Sequence, residues 1–317
     1  MPKTSEMRSG SLQFYPRKRA AKFLPRVNWN VVHGEGMLGF IAYKVGMASA
    51  IVKDLTEKSM SLGKQIVLPV TILEVPNIKI YSLRFYKNGK VSKEIVVSHD
   101  KELKRKVKVG KEIKKLEGHL PGSHDYDDVK AIIYSLARET GIKKTPDLIE
   151  ITVGAETKEQ KLELLKSFIG KEIPFNEFAK TNLIDVRGLT RGKGFQGPVK
   201  RFGIKLRFHK SEKGVRRPGS LGPWHPARVT FRTPMAGQLG MFTRITNNLK
   251  VIEHGRISEK NINPAYGFRD YGKINSSYII AKGSVQGPAK RQLVITPAFR
   301  PSKFTTKKKY EFMELVI

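Results

Sequence analysis

The residues whose types and spacing could do chemistry are few, and their context argues against each. Gly192-Lys193-Gly194-Phe195-Gln196-Gly197 spells G-x-G-x-x-G after a predicted strand. A dinucleotide site needs a helix to open at that point and an acid about 20 residues later to hold a ribose. Here Pro198 and a basic run follow, and the nearby acid, Glu212, is set among lysines. Gly188 to Gly192-Lys193 is one residue short of a phosphate-binding P-loop and has no Ser or Thr after the lysine. His119 and His124 stand beside Asp125, Asp127 and Asp128, but their spacing fits no zinc signature. A calcium loop counted from Asp125 would place Lys130 where Gly belongs and Leu136 where Glu belongs. They read instead as a polar loop that caps the next helix. His225, beside Trp224, has no carboxylate within a dozen residues to orient it as a base. The absence of cysteine removes disulfides, thiolate zinc sites and cysteine nucleophiles together. No catalytic residue, metal ligand or cofactor is predicted.

What this region has in quantity is positive charge. Between Arg187 and Arg232 there are thirteen Lys/Arg and one acid, Glu212. The stretch is too rich in Gly and Pro, and too thinly apolar, to form a core of its own. Phe195, Phe202, Phe208 and Trp224 are threaded through the charge. Phosphates would take the cations while unstacked bases or sugars lie on the rings, so the pattern suits a nucleic acid better than a membrane. The glycines of 192–197 would let backbone amides and Lys193 press close to phosphate. The whole chain agrees: 60 Lys/Arg against 28 Asp/Glu give +32 over 317 residues, a balance that calls for a permanent anionic partner.

Four basic clusters make an extended RNA surface: Arg17-Lys18-Arg19, the segment Lys200–Arg217, Lys290-Arg291 and Lys307–Lys309. The predicted RNA-binding residues are Arg17, Lys18, Arg19, Arg191, Lys193, Lys200, Arg201, Lys205, Arg207, Lys210, Lys213, Arg216, Arg217, Arg228, Lys290 and Arg291. DNA is the weaker partner. Gly or Pro at 192, 194, 197, 198, 203, 214, 218, 219, 222, 223 and 226 rules out one long recognition helix. A DNA-compacting protein and an RNA-modifying enzyme are the rival classes; the second lacks a recognisable cofactor pocket. No stretch reaches about 18 uncharged apolar residues, and the N-terminus has no apolar run after its basic residues, so neither a membrane span nor a secretory signal is read.

The elements that must position these residues are mostly strands. Residues 1–36, with seven Lys/Arg and Pro2, Pro16 and Pro25, read as an extended arm. Strands are predicted at 38–43, 47–53, 66–75 (Pro69 marking an edge or bulge) and 78–87. Residues 99–120 are Lys-rich with weak helical character. Asp127-Asp128 is expected to cap a helix carrying Val129, Ile132, Ile133, Leu136 and Ala137, ending at Gly141. A strand follows at 148–154, then a helix capped by Thr157 and Gln160 and ended by Gly170. Leu183–Leu189 is a strand. Residues 242–252 are expected to form a hairpin turning at Asn247-Asn248, with further strands at 278–285 and 291–296. The apolar share, 39%, supplies a real core.

Several stretches resemble one family: 9–20 (SGSLQFYPRKRA), 38–47, 73–87, 183–205 (LIDVRGLTRGKGFQGPVKRFGIK) and 219–229 (GSLGPWHPARV), with 284–295 (SVQGPAKRQLVI) similar. GKGFQG followed by a basic loop and GPWHPAR is highly specific, and the chain is identified as a member of the L-three family of large-subunit ribosomal proteins, of archaeal and eukaryotic type. The chain's length favours the archaeal form. The resemblance implies an α+β, mainly β fold: a translation-protein-type β-barrel with an inserted α/β module and long basic non-globular extensions. The divisions would be an arm (1–36), a barrel body (37–80, 181–189 and 233–317), an insert (81–180) and an RNA-penetrating loop (190–232). It also implies binding to large-subunit rRNA early in assembly, beside neighbouring ribosomal proteins in the cytoplasm. The loop would run toward the peptidyl-transferase region, with Trp224 and His225 at a tip near the tRNA path. Two departures stand out. Glu212 occupies the position at which eukaryotic members carry a methylated histidine, so that modification is not expected. Ala42-Tyr43-Lys44-Val45-Gly46-Met47-Ala48 replaces the family's GYKAGMT, exchanging its Gly and Thr for alanines.

Overall fold

Alternating Val, Ile, Leu and aromatic residues build a mainly β protein with few helices, an α+β architecture. The computed structural model describes residues 8–110, 118, 120–178 and 181–316. In chain order come β1 (Gly36–Met37), β2 (Phe40–Asp54), β3 (Gln65–Val75), β4 (Ile78–Lys87), β5 (Lys90–Val96), β6 (Asp128–Ser135), β7 (Leu148–Ile151) and β8 (Val153–Gly154). Helix α1 (Lys158–Phe168) and β9 (Leu183–Leu189) follow, then β10 (Phe195–Gln196), α2 (Pro198–Phe202) and β11 (Gly237–Gln238). The chain closes with β12 (Thr243–Arg256), β13 (Ser277–Lys282), β14 (Gln292–Pro297), α3 (Lys303–Lys307) and β15 (Tyr310–Val316). It divides into two compact units. The smaller holds the described residues up to Phe23 together with Leu189–Arg244, and the larger holds Leu24–Gly188 with Ile245 onward.

In the larger unit one sheet closes on itself. Its strands run β14, β9, β12, β13, β3, β2, and β14 pairs again with β2 (Val294 opposite Ile41), leaving β15 as a flank on β2. Side chains that alternate along these strands, Phe40, Ile72, Val186, Ile280 and Ile295 among them, are fully buried. Each such Ile or Phe contributes roughly 1.5–3 kcal/mol on burial. Pro69 lies where β3 loses its β13 neighbour, Val70 opposite Lys282 being the last pair, so its missing N–H costs no ladder bond there. The two strands predicted at 38–43 and 47–53 are one, β2, with a register shift between Lys44 and Gly46.

A second sheet, ordered β5, β4, β6, β7, begins with a two-residue hairpin at Asn88-Gly89, both at positive φ (+50° and +72°). Tyr43 of β2 reaches it: its hydroxyl donates to Asp147 Oδ2 (2.8 Å) and pairs with Ser135 Oγ (2.8 Å). Burial beside the Asp147 carboxylate pushes this phenol well up.

Three expectations need correction. The helix expected from Asp127-Asp128 is strand β6. Val129, Ala131 and Ile133 face Phe85, Leu83 and Ile80 on one side, while Ile132 and Tyr134 pack with Tyr81 and Leu103 on the other. A strand with both faces covered is apolar throughout, so it also satisfies a helical period. Asn247-Asn248 does not reverse the chain. Asn248 takes φ +57° inside the continuous strand β12, its N–H donating to Asp185 Oδ1 (2.8 Å) and its side-chain oxygen accepting from Ser302 N (3.1 Å). Leu148–Gly154 is split at Thr152, β7 pairing with β6 and β8 with β1. The capping box does form: Thr157 Oγ1 accepts from Gln160 N and Gln160 Oε1 from Thr157 N, both at 3.3 Å. Of the Lys-rich stretch 99–120, Lys101–Arg105 make a 3₁₀ turn, and 111–117 and 119 lie outside the described residues. No helix among the described residues is long and apolar enough to cross a membrane.

Candidate nucleic-acid interface

The smaller unit is built on a narrow ribbon. β10 and β11 pair antiparallel (Phe195 opposite Gln238), and the ribbon is extended by Lys193 N to Leu239 O (2.9 Å), Leu239 N to Gly194 O (2.9 Å) and Thr190 N to Phe242 O (3.0 Å). Gly240, at φ +78°, comes so close to the opposite limb that a Cβ would lie 2.1 Å from Arg191 O, so only glycine fits. A helix does open at Pro198, contrary to expectation, but α2 has five residues and ends at Gly203 in the left-handed region (φ +63°). It belongs to no βαβ unit, so the G-x-G-x-x-G still lacks a dinucleotide setting.

Phe202 is the core of this unit. Its ring is buried between the guanidiniums of Arg8 (4.7 Å), Arg17 (4.3 Å) and Arg201 (5.1 Å from its centroid). It is therefore not a surface for a base, unlike Phe195, Phe208, Phe231 and Trp224, which stand 67–87% exposed. Main-chain contacts fix the arm to the loop: Ser9 N and Oγ both donate to Phe202 O (2.7 and 2.9 Å), and Ala20 N donates to Met241 O (3.0 Å). Arg17 Nη1 donates to Arg201 O (3.0 Å). Arg201 in turn donates to three carbonyls: Gln238 (3.0 Å), Met235 (2.9 Å) and Arg17 (3.1 Å). Burial lowers both guanidinium pKa values. For Arg17, Tyr15 opposes the shift, while Arg8, Arg201 and Arg244 add to it.

Around this core the other predicted cations point outward. Lys18, Arg19, Arg191, Lys193, Lys200, Lys205, Arg207, Lys210, Lys213, Arg216, Arg217 and Arg228 are all exposed. Beyond α2 the chain is irregular, pinned by Arg207 N to Val215 O (3.0 Å) and by Thr233 Oγ1 to Leu221 O (3.0 Å). Trp224 and His225 are exposed on the stretch between. The unit carries nineteen Lys/Arg against Glu6 and Glu212. Such a surface is held open by its own repulsion and attracts polyanions. Arg8 is the residue sequence reading missed; its guanidinium bonds Arg232 O and Tyr15 hydroxyl. No local pattern marked it, because Phe202, the ring it lies over, is remote in sequence.

Lys290 and Arg291 belong to the larger unit. Lys290 is exposed at φ +66°, its N–H donating to Lys44 O (2.7 Å), and Lys44 N donates to Arg291 O (2.9 Å). Lys44 itself is buried, its ammonium capped by Val285 O (2.5 Å) and Gly287 O (3.0 Å) with its pKa lowered by burial. The acids near His124 are engaged elsewhere. Asp127 Oδ2 accepts from Asn88 N (2.7 Å), Asp125 Oδ2 from Gly122 N (3.2 Å), and Asp128 pairs with Lys161 (2.8 Å).

A cationic unit that stacks its own arginines around one phenylalanine, and exposes Phe195, Phe208, Phe231 and Trp224, accords with the sequence resemblance. The profile of the family described as ribosomal protein L3 matches residues 1–315. The chain belongs to the ribosomal protein L3 family. Its relatives include the large ribosomal subunit protein uL3 of Methanococcus vannielii, 39% identical over 95% of this chain and 93% of that one. That of Methanocaldococcus jannaschii is 38% identical over 93% and 92%, and that of Methanococcus aeolicus 39% over 94% and 92%. These L3 relatives are archaeal.

Proposed function

We infer that this L3 chain is a structural, non-catalytic constituent of the large ribosomal subunit, in the cytoplasmic ribosome, where it binds large-subunit rRNA. The observation that carries the reading is the smaller unit: nineteen cations, two acids and exposed aromatic rings on a ribbon, in a chain matched by the L3 family from end to end. Phosphates would be met by Lys18, Arg19, Arg191, Lys193, Lys200, Lys205, Arg207, Lys210, Lys213, Arg216, Arg217 and Arg228, and separately by Lys290 and Arg291. Arg17 and Arg201 enter the interface as the groups that hold its base.

The finer reading follows the family. The closed sheet serves as a translation-protein-type barrel docked on the particle, 81–180 as its insert, and the arm (1–36) and loop (190–232) as extensions into RNA. The protein supports early assembly beside neighbouring ribosomal proteins and shapes the region near the peptidyl-transferase centre. Trp224, 87% exposed, lies near the tRNA path in this reading. Trp224→Ala should leave folding and subunit incorporation within about 0.5 kcal/mol of wild type, as for an exposed side chain, and slow tRNA accommodation. Loss of incorporation would sink the tip assignment.

Gradient sedimentation of tagged protein from lysate, at moderate and high salt, tests the whole reading. Co-migration with large subunits that survives high salt is the expected result. Migration as free protein or with the chromosome overturns it.

A further inference from the structure

One edge of the larger unit is acidic and apolar on a chain that is otherwise strongly cationic. β15 pairs with β2 on one side (Glu311 opposite Lys53, Glu314 opposite Ile51, Val316 opposite Ser49), and among the described residues no strand pairs with its other side. Tyr310–Val316 contains two glutamates and no Lys, Arg or Pro. Natural sheets blunt such an edge with Lys, Pro or a covering element, because its unpaired N–H and C=O groups are a template for another strand. Within Tyr310–Val316 there is no Lys or Pro, and the strand's one interruption is a bulge at Met313, between Phe312 opposite Val52 and Glu314 opposite Ile51. Glu311, Met313, Glu314 and Val316 are exposed. The register carries their face across Ile51 of β2 to Val67 of β3, 65% exposed. Two cations serve the opposite face, Lys282 over the ring of Tyr310 (4.8 Å) and Lys260 over that of Phe312 (4.6 Å), while of the lysines leading into the strand Lys308 lies over Phe304 (4.2 Å) and Lys309 pairs with Glu57 (2.9 Å). Lys53 stands opposite Glu311, but Glu314 faces Ile51.

RNA cannot be the occupant, because an edge with two outward carboxylates repels phosphate. We propose that β15 is a protein-docking edge that takes an extended Lys/Arg-rich segment of another protein of the same subunit as an added strand. Main-chain hydrogen bonds supply the affinity. Cations of the guest fall beside Glu311 and Glu314, which the bulge at Met313 brings onto one face, and an apolar residue falls beside Val316. The proposal rests on the ribosomal reading, since that reading supplies a neighbour rich in cations.

The test places benzoylphenylalanine at position 313, irradiates purified large subunits and maps the adducts. The expected adduct joins β15 to one Lys/Arg-rich protein segment. Its yield should fall about fivefold or more in Glu311→Lys/Glu314→Lys, and less in Glu311→Gln/Glu314→Gln, with rRNA content unchanged. Subunits that contain the variants prove them folded. Adducts to rRNA, no adduct, or a protein adduct insensitive to both double substitutions overturns the docking edge and leaves the ribosomal reading standing. Absence of the wild-type chain from the subunits overturns both.

Discussion

Arg201 shows what a guanidinium in a cationic segment can do besides meet phosphate. Its three donated bonds, to Met235, Gln238 and Arg17 carbonyls, join the arm to both limbs of the loop's base. An ammonium is a point donor and cannot span three acceptors set in a fork. Arg201→Lys should therefore loosen the base by about 1.5–3 kcal/mol, the range for bonds to a charged group, although the charge is kept. Faster amide exchange at Met235–Leu239 would register it; wild-type exchange would mean that charge alone matters. Asp54 makes a pH-dependent case in the larger unit. Ser61 Oγ (2.6 Å), Thr56 N (2.9 Å) and Ser59 Oγ (2.9 Å) donate to its carboxylate, and these bonds, Ser61's first, hold its pKa well below the usual range. The unfolded chain then binds the proton at higher pH than the folded one. The stabilisation is complete above the ordinary value near 3.9 and is lost as pH falls toward the folded value. Urea midpoints of wild type and Asp54→Asn should differ by a constant amount above about pH 5 and converge below about pH 4. A gap unchanged from pH 6 to pH 3 would refute the coupling.

At the scale of elements, what could be read from sequence depended on how far each pattern's cause lay from the residues showing it. The Thr157–Gln160 box is local, two side chains exchanging bonds with two amides three residues apart, and it forms as read. The β6 segment failed because Val129–Ser135 is covered on one face by the main core, which takes Val129, Ala131 and Ile133, and on the other packs with Tyr81 and Leu103. Those neighbours are remote in sequence, and without them a two-sided strand looks like a helix. Asn247-Asn248 failed for a similar reason, since Asp185 and Ser302 use the asparagine within a strand rather than at a turn. For the candidate interface, charge and Gly/Pro content singled out the segment, because they are properties of composition. The sorting of cations into exposed and structural ones was hidden until Phe202 was seen at the centre of Arg8, Arg17 and Arg201. The arm is thus part of the loop's architecture. A chain begun at Leu24 loses the Ser9, Arg17 and Ala20 bonds and should be cut by trypsin within 205–217 severalfold faster than the full chain, as local opening becomes cheaper. Equal cleavage would show that the ribbon alone orders the loop.

Across the whole molecule, charge is segregated more sharply than the net value suggests. Seventeen of the 28 acids lie between Glu74 and Glu177, where several pair with local cations, as Glu94 (2.8 Å) and Glu150 (3.1 Å) do with Arg84. The smaller unit keeps two. The first arrangement is self-neutralising, and ion pairs of that exposure contribute little to stability, roughly 0–1 kcal/mol. What it does is leave the excess positive charge concentrated in the arm and loop. Residues 197–236 carry ten Lys/Arg, and each phosphate they neutralise steepens log affinity against log salt by about 0.9 on a duplex and about 0.7 on a single strand. Replacing 197–236 with a short glycine turn between Gln196 and Gly237, which β10 and β11 hold as neighbours, should leave the larger unit's strands and unfolding midpoint unchanged. If about half of those cations meet phosphate, the salt slope for binding large-subunit rRNA should fall by about 4. An unchanged slope would move the RNA contacts to the larger unit and make Lys290 and Arg291 the residues to substitute next. A fall in slope together with loss of the larger unit's cooperative unfolding would show instead that the loop is needed for the body to fold, and the charge argument would have to be tested by Lys/Arg→Gln substitutions in the intact loop.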